Sequence, residues 1–457
     1  MNVHAVWYRT DLRTHDHSAF LNAQESGLPV IAFYIDEPQK NYRYFEHARR
    51  SRKRKAYLYA TLRDLQETLA RKGIPLYVFQ TSIEEAVSQL QNTHQIQGIY
   101  LHRSDGPEEN SALERLRSAV SCPLFIGEDK TLIHPLTLPF TLTELPNTFT
   151  AFRKRVEKLP IDAPLGEVKT QEPLPLAPRF EVSKEAFFIG VGEKAALAHV
   201  DHYFELTHAI KTYKDTRNGM LGDDASSKFS TFLAHGSLSV RTLYARLKAY
   251  EKEHGSNEST YWLYFELLWR DYFSFVAQRY RHRLFTAQGL QHRRIPWQKR
   301  SDYHHAIETA QTGYPLIDAN LRMLYATGFM SNRGRQNVAS FITKNLRLDW
   351  RYGAALFEHH LLDYDVASNW GNWAYVAGVG NDPQPFRYFD VMNQGKRYDP
   401  EALLCEQYCP ELNAVPKAQR YLLPTLDPAV YDDYGLTYPK PIVPFRRSIL
   451  ETESYFK

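Results

Sequence analysis

The sequence predicts an α/β domain built on a doubly wound parallel sheet, followed by an all-α domain. Short apolar runs alternate with helical patterns as far as residue 130, and helical periodicity prevails from about residue 195 to 410. The stretch between them is rich in proline, which is typical of an extended connection. We therefore divide the chain into an α/β part at 1–130, a connector at 131–195, a helical domain at 196–410 and an irregular tail at 411–457.

Five apolar runs in the first part are typical of buried strands, and they lie at residues 4–8, 29–35, 75–79, 98–101 and 123–127. Between the second and third runs, residues 57–73 place apolar side chains at helical spacing, and Gly73 ends the pattern. Strands that alternate with helices predict a parallel sheet with crossover helices.

The second part is helical. The stretch STYWLYFELLWRDYFSFVAQRYRHR (259–283) puts Tyr261, Phe265, Leu268 and Tyr272 on one stripe, and residues 315–347 form a second helical interval that breaks at Gly328. The connector holds eight of the 25 prolines between residues 131 and 180. Proline and irregular composition return after residue 411.

Composition excludes several classes of protein. Hydrophobic residues make up 43% and charged residues 24% of the 457, which excludes wholesale disorder. Three cysteines cannot form a disulfide framework, so we expect a reducing, cytoplasmic setting. The sequence contains no apolar run of membrane-spanning length, so we expect no membrane association. The 18 histidines show no metal-binding spacing, so we expect no metal.

Basic residues concentrate in the helical part, although the net charge is only +4. Residues 260–300 contain eight Lys and Arg against two acidic residues, and residues 320–351 contain six against one. This surplus predicts a polyanionic partner, and a solvated helical surface is an equal alternative. The run RRSRKRK (49–55) is typical of a solvated helix start, with nucleic-acid contact as the alternative.

The segment FELLWRDYF (265–273) places Glu266, Trp269, Arg270 and Phe273 on one helix face. A carboxylate beside a Trp and an Arg suits the reading of a base edge while the Trp stacks on a ring. The alternative is a simple Glu266–Arg270 pair at i, i+4.

Three further segments carry polar residues suited to a ligand. DDASSKFSTFLAHGSLS (223–239) gathers hydroxyl groups and one Lys before a helix, which suits a diphosphate or a plain helix cap. SNRGRQNVASF (331–341) brings two Arg into a helix, which suits anions or surface charge. DYDVASNWGNWAYVAGVGND (363–382) packs three Asp, three Asn and two Trp together, which suits a polar ligand or a capped loop.

In this order the motifs resemble the photolyase/cryptochrome flavoprotein family over nearly the full length. The other matching stretches are WYRTDLRTHD, GYPLIDANLRMLYATGFM, DWRYG and YPKPIV, and SNRGRQN, NWGNWAY and GVGNDP resemble the DASH cryptochrome branch. The resemblance implies a photolyase-like fold whose helical domain binds a U-shaped FAD.

The resemblance also implies which residues hold FAD. Asp363 would pair with Arg335 beside the flavin, Asp365 would contact the isoalloxazine region, and Asn369 would face flavin N5. Glu266, Arg270 and Asn332 are expected to border the same space. The residues expected near the diphosphate are Tyr213, Arg217, Ser226, Ser227, Lys228, Phe229 and Ser230.

Three tryptophans, Trp373, Trp350 and Trp297, match the family's relay, which carries an electron from the surface to excited flavin. The other interpretation of these residues is core packing. In the N-terminal half, Glu108 or Glu109 of RSDGPEEN would bind a folate (methenyltetrahydrofolate) antenna.

The family's pocket for a cyclobutane pyrimidine dimer would be lined here by Glu266, Trp269, Arg270, Asn332 and Arg333, with further DNA contacts from Arg217 and Arg387. Gln336 stands where dimer photolyases have Met, and Tyr375 replaces a Trp that stacks on the lesion. Stacking on an aromatic ring is worth about 1–3 kcal/mol per base, and extrusion from a duplex costs a few kcal/mol. Weaker stacking therefore predicts a preference for single-stranded or looped DNA.

The resemblance implies a deoxyribodipyrimidine photo-lyase, a monomer that splits dimers by electron transfer from excited reduced flavin in blue or near-UV light. One alternative is a blue-light cryptochrome photoreceptor that signals through flavin photoreduction. Another is a flavin-carrying nucleic-acid-binding protein with a regulatory role.

Overall fold

The computed structural model describes residues 1–38, 43–45, 47–384 and 386–456. Its strands are β1 Asn2–Tyr8, β2 Val30–Ile35, β3 Arg43–Tyr44, β4 His47–Ala48, β5 Leu76–Phe79, β6 Gln95–His102 and β7 Leu124–Gly127. The first ten helices are α1 Ser18–Glu25, α2 Arg52–Arg71, α3 Ile83–Thr93, α4 Pro107–Ala119, α5 Phe149–Val156, α6 Gly192–Asp201, α7 Tyr213–Thr216, α8 Phe229–His235, α9 Val240–His254 and α10 Glu258–Tyr280. The others are α11 Ser301–Glu308, α12 Pro315–Thr327, α13 Asn332–Ser340, α14 Trp350–His360, α15 Val366–Ala377, α16 Val391–Tyr398, α17 Leu403–Tyr408, α18 Lys417–Arg420, α19 Ala429–Asp433 and α20 Phe445–Glu453.

The N-terminal domain is a parallel sheet in the order β5–β2–β1–β6–β7. Alternate side chains of β1 enter two apolar layers: Val6 packs with Phe20 on one face, and Trp7 packs with Ile83 on the other. Helices therefore cover both faces, which confirms the predicted doubly wound sheet. The strand order reverses between β1 and β6, and ligand crevices lie at the carboxyl ends of strands at such a point.

The helical domain forms one apolar core around α10. Leu268, Tyr272 and Phe275 are fully buried there, and α10 packs against α7 and α15. Helix α12 ends at Gly328, whose φ of +75° and whose approach to Leu362 leave no room for a side chain. Among the described residues, no helix combines the length and apolar character needed to cross a membrane.

The connector and the tail contain more structure than the sequence predicts. The connector includes α5, and Asp271 of α10 fixes the connector by accepting the N–H groups of Leu132 and Ile133 at 2.9 and 2.7 Å. The tail, expected to be irregular, ends in α20, which buries Phe445 and Ile449 on one face. A pattern only nine residues long offers too few turns for periodicity to reveal it.

The basic run at 49–55 binds the two domains together. Arg49 pairs with Glu108 at 2.8 Å and with Glu358 of α14 at 3.4 Å, while Arg54 donates to the Glu358 carbonyl. Arg50 pairs with Asp36 at 2.8 Å. The expected solvated helix start therefore holds only in part: Arg52 and Lys55 are exposed, whereas their basic neighbours have tertiary partners.

Candidate functional site

A cavity of about 250 Å³ lies in the helical domain among α8, α10, α13 and the start of α15. A second cavity, of about 120 Å³, shares Asn332, Arg335, Asp363 and Asp365 with it and adds Gln336, Asn369 and Trp373. Of the residues expected to hold FAD, all but Asn369 line the first cavity: Tyr213, Arg217, Ser226, Ser227, Lys228, Phe229, Ser230, Glu266, Arg270, Asn332, Arg335, Asp363 and Asp365. The structure thus brings the whole expected cofactor set together.

Asp363 and Arg335 form the expected ion pair. Arg335 Nη2 lies 2.8 Å from Asp363 Oδ2, and the Ser230 hydroxyl donates to the same oxygen at 2.7 Å. The other carboxylate oxygen, Asp363 Oδ1, is buried without a hydrogen-bond partner in the described part of the chain, as is Gln336 Oε1. Buried polar atoms that lack partners beside a cavity fit a ligand rich in hydrogen-bonding groups, as FAD is.

The segment expected near the diphosphate forms a loop that leads into α8. Lys228 adopts a left-handed conformation (φ 50°), and its ammonium donates to the Gly222 carbonyl at 3.1 Å. His199 donates to the Ser227 carbonyl at 2.8 Å and so fixes the loop. The hydroxyl groups and the ammonium group beside the cavity can donate hydrogen bonds to a phosphate.

Asp365 begins α15 and faces both cavities. It accepts the Ser368 N–H at 2.8 Å and lies 3.0 Å from Lys130 Nζ. Burial alone would raise the pKa of Asp365, but the charges of Lys130 and Arg270 hold it well below its usual range. Sequence reasoning missed Lys130, because nothing in the connector's local pattern indicates contact with α15.

Glu266 forms an ion pair with Arg217 of the loop after α7. Burial raises the pKa of the Glu266 carboxyl, and the Arg217 guanidinium partly offsets this effect. The alternative Glu266–Arg270 pair does not form, since Arg270 Nη1 instead donates to the Lys130 carbonyl at 2.5 Å. Arg270 therefore joins the cavity wall to the connector.

Trp269 lies in an aromatic group that spans two parts of the chain. Phe149 of α5 stacks on its ring at 3.8 Å between centroids and 12° between planes, and Phe273 lies 5.3 Å away. Tyr375 meets Trp269 edge-on at 5.8 Å. Phe149, which sequence reasoning missed, thus covers one face of the Trp269 ring.

The residues expected to contact DNA are half-buried or exposed. Arg333 donates to the Asn218 side chain at 2.9 Å, and its guanidinium lies 4.5 Å from the centre of the Tyr398 ring. Arg387 pairs with Asp382 at 2.8 Å. Asn332 is exposed at the start of α13.

The three tryptophans of the expected relay differ in burial. Trp373 lines the smaller cavity, and its ring fills the space that a side chain at Gly353 would occupy. Trp350 is fully buried and donates to the Ala287 carbonyl at 3.1 Å, while Trp297 is half-buried. A bridge between the neighbouring residues Gln298 and Leu348 brings the segments of Trp297 and Trp350 side by side.

Glu108 and Glu109 lie in a cleft at the carboxyl ends of the strands. Glu108 pairs with Arg49, whereas Glu109 Oε2 is buried without a hydrogen-bond partner among the described residues. Burial raises the pKa of Glu109. A neighbouring cavity of about 170 Å³ joins Glu109 to Tyr364 and Asp365. A buried carboxylate oxygen without a partner there fits a second ligand that offers N–H donors.

Asp11, His17 and His102 are close enough to share a metal ion. His17 Nδ1 accepts the Phe20 N–H at 3.1 Å, so its Nε2 carries the proton and faces Asp11. His102 lies between Asp11 at 2.7 Å and Asp129 at 3.0 Å. His17 Nε2 lies 3.1 Å from Asp11 Oδ2 but forms no hydrogen bond within the described part of the chain.

Comparison with known proteins agrees with this geometry. Residues 4–175 match the family model of DNA photolyase, and residues 262–457 match that of the FAD binding domain of DNA photolyase. The cryptochrome DASH of Synechocystis is 42% identical over 97% of this chain and 96% of its own length, and that of Danio rerio is 39% identical over 95% and 89%. A crystal structure of a Synechocystis cryptochrome covers 100% of this chain and 99% of its own, with a TM-score of 0.93 and 39% identity.

The chain therefore belongs to the photolyase/cryptochrome family and carries its FAD-binding domain. Within that family, its full-length relatives place it in the DASH cryptochrome branch. A class III photolyase from Agrobacterium tumefaciens shares the fold, with a TM-score of 0.84 at 24% identity over 100% of this chain and 97% of its own.

Proposed function

We propose that this protein splits cyclobutane pyrimidine dimers in DNA under blue or near-UV light, as a deoxyribodipyrimidine photo-lyase. The observation that carries the proposal is the position of Glu266 in the wall of the cavity of about 250 Å³, which we call the flavin cavity. Glu266 lies there one helical turn from Trp269. A half-buried carboxyl group beside an aromatic ring can bind the base edge of an extruded lesion. FAD, when bound, supplies the photoexcited electron donor for the reaction.

The chain's own residues would position the lesion. Glu266, fixed by Arg217, would hydrogen-bond to the dimer and stabilise the charge that develops on it. Trp269 would pack on the lesion, with Phe149 supporting the face that it covers. Arg333 and Arg387 would bind phosphates on the rim.

We propose that single-stranded or looped DNA is the preferred substrate. Tyr375 is half-buried, and its ring lies 6.0 Å from the Arg387 guanidinium. Gln336 adds a polar oxygen to the cavity wall. Tyr and Gln in place of Trp and Met should stack less favourably on a lesion. The pocket then does not recover the few kcal/mol needed to extrude the lesion from a duplex, which favours single strands.

A second candidate is a blue-light photoreceptor, and the position of Trp373 favours it. A buried tryptophan in the cavity wall, followed by Trp350 and the half-buried Trp297, offers a route for electrons from the surface. Such a route suits signalling through flavin photoreduction and does not require Glu266.

Three further properties belong to the proposal. The cleft around Glu109 would bind a folate antenna, since the Oε2 atom of this residue lacks a hydrogen-bond partner in the described part of the chain. The three cysteines are free, which is compatible with a cytoplasmic protein. We expect a monomer, which sedimentation of the purified protein tests.

A repair assay tests the proposal. Purified protein with reduced FAD is given a thymine-dimer oligonucleotide, as a single strand and as a duplex, under blue light and in darkness. We expect light-dependent loss of the dimer from the single strand alone. Equal loss from both substrates would remove the argument from Gln336 and Tyr375. No loss from either, with FAD bound and reduced, would favour the photoreceptor.

A further inference from the structure

Lys130, between β7 and the connector, extends a largely buried ammonium group from outside the helical domain to Asp365 in the wall of the flavin cavity, and it lines the neighbouring cavity of about 170 Å³. Its Nζ lies 2.7 Å from Asp105 Oδ2 and 3.0 Å from Asp365 Oδ2. The backbone of the same residue accepts a hydrogen bond from Arg270. Lys130 therefore contacts two of the charged residues in the cavity wall.

Side chains of helix α10 donate hydrogen bonds to Asp105, the second carboxylate that contacts Lys130. Ser274 donates to its Oδ2 at 2.7 Å, and Gln278 donates to its Oδ1 at 3.1 Å. The Asp105 side chain is 1% exposed, and those of Lys130 and Asp365 are about 15% exposed. Solvent therefore screens these charges weakly, and they act on whatever occupies the cavity.

We propose that Lys130 is a positioning residue that fixes the Asp365 carboxylate and raises the reduction potential of the bound flavin. Reduction adds negative charge to the ring, and a buried ammonium group beyond Asp365 stabilises that charge. Asp105 opposes this effect by neutralising part of the ammonium charge. The inference rests on FAD binding and not on dimer repair.

Replacing Lys130 and replacing its other partner, Asp105, should shift the midpoint potential of the flavin in opposite directions. Lys130→Met removes the positive charge while keeping an unbranched side chain, so the midpoint potential should fall. Asp105→Asn leaves the ammonium less neutralised, so the midpoint should rise. We expect each change to alter the reduction equilibrium at least about tenfold, which is ~30 mV for a two-electron couple. A general loosening of the fold would not move the midpoint in two directions.

Spectroelectrochemical titration of the FAD-loaded proteins measures these midpoints. Lys130→Arg keeps the charge and should leave the potential near that of the wild type, and Lys248→Met on the surface of α9 serves as the matched control. A wild-type midpoint in FAD-loaded Lys130→Met would overturn the inference. If that variant cannot retain FAD, Asp105→Asn decides: a higher midpoint supports the inference, and an unchanged or lower one overturns it.

Discussion

Arg217 and Glu266 form an ion pair in the wall of the flavin cavity, between the loop after α7 and the middle of α10. Burial raises the pKa of the half-buried Glu266 carboxyl group, and the Arg217 guanidinium offsets part of that rise. The pair also fixes the direction of that group before a substrate arrives. A fixed carboxyl group in the cavity wall suits the recognition of a base edge that we propose for Glu266.

Replacing Glu266 with Gln should strongly reduce dimer repair. The amide keeps the shape but loses the negative charge and the pairing with Arg217. Removing one preorganised electrostatic interaction typically costs about 10²–10³-fold in rate. Repair of a single-stranded dimer oligonucleotide by reduced protein measures the effect. Glu258→Gln, on an exposed residue of the same helix that pairs with Lys214, is the control. Full activity in the Glu266 variant would disprove its role.

Replacing Trp373 with Phe should slow photoreduction of the flavin and spare repair by protein that is already reduced. Phenylalanine fills most of the space beside Gly353 but is much harder to oxidise. Flavin absorbance under blue light with an external thiol reports photoreduction. Trp7→Phe, at a buried tryptophan of the α/β domain, controls for general loss of aromatic residues. Unchanged photoreduction would remove Trp373 from the relay.

The motifs predict the cavity well because its residues lie in recognisable helical segments. Asp363 and Arg335 pair as the family resemblance implies. Lys130 and Phe149 escape prediction, since both lie at or in the connector, whose local pattern does not indicate proximity to α10 or α15. The backbone just after Lys130 is held by Asp271 of α10, which accepts the N–H groups of Leu132 and Ile133, and no local pattern around Asp271 indicates these partners.

Replacing Arg387 with Gln should weaken DNA binding in a salt-dependent manner. On a single strand, each phosphate that the protein no longer neutralises reduces the slope of log affinity against log salt by about 0.7. Fluorescence anisotropy with a labelled dimer oligonucleotide at several salt concentrations measures this slope. Arg300→Gln, at an exposed arginine that pairs with Asp302, should leave the slope unchanged. The same slope in both variants would exclude a phosphate contact at Arg387.

Acidification should destabilise the protein through His235. Its Nε2 donates to the Leu362 carbonyl at 2.9 Å, and its ring lies 5.0 Å from Tyr57. Burial, and then the charge of Arg54, lower the pKa of His235 to about 4. The unfolded chain binds a proton near pH 6.5, whereas the folded chain does not until about pH 4. The contribution of His235 to the free energy of unfolding is therefore fully present above about pH 6.5. It falls by about 3 kcal/mol as the pH drops toward about 4.

Urea unfolding of the FAD-loaded protein between about pH 7.5 and about pH 4.5 measures this loss. His235→Gln keeps a donor for the Leu362 carbonyl but cannot take up the proton. The variant should therefore lose less free energy of unfolding than the wild type over the same pH range. His305→Gln, on an exposed residue of α11, should follow the wild type. Parallel curves for the His235 variant and the wild type would show that protonation of His235 does not drive the acid sensitivity.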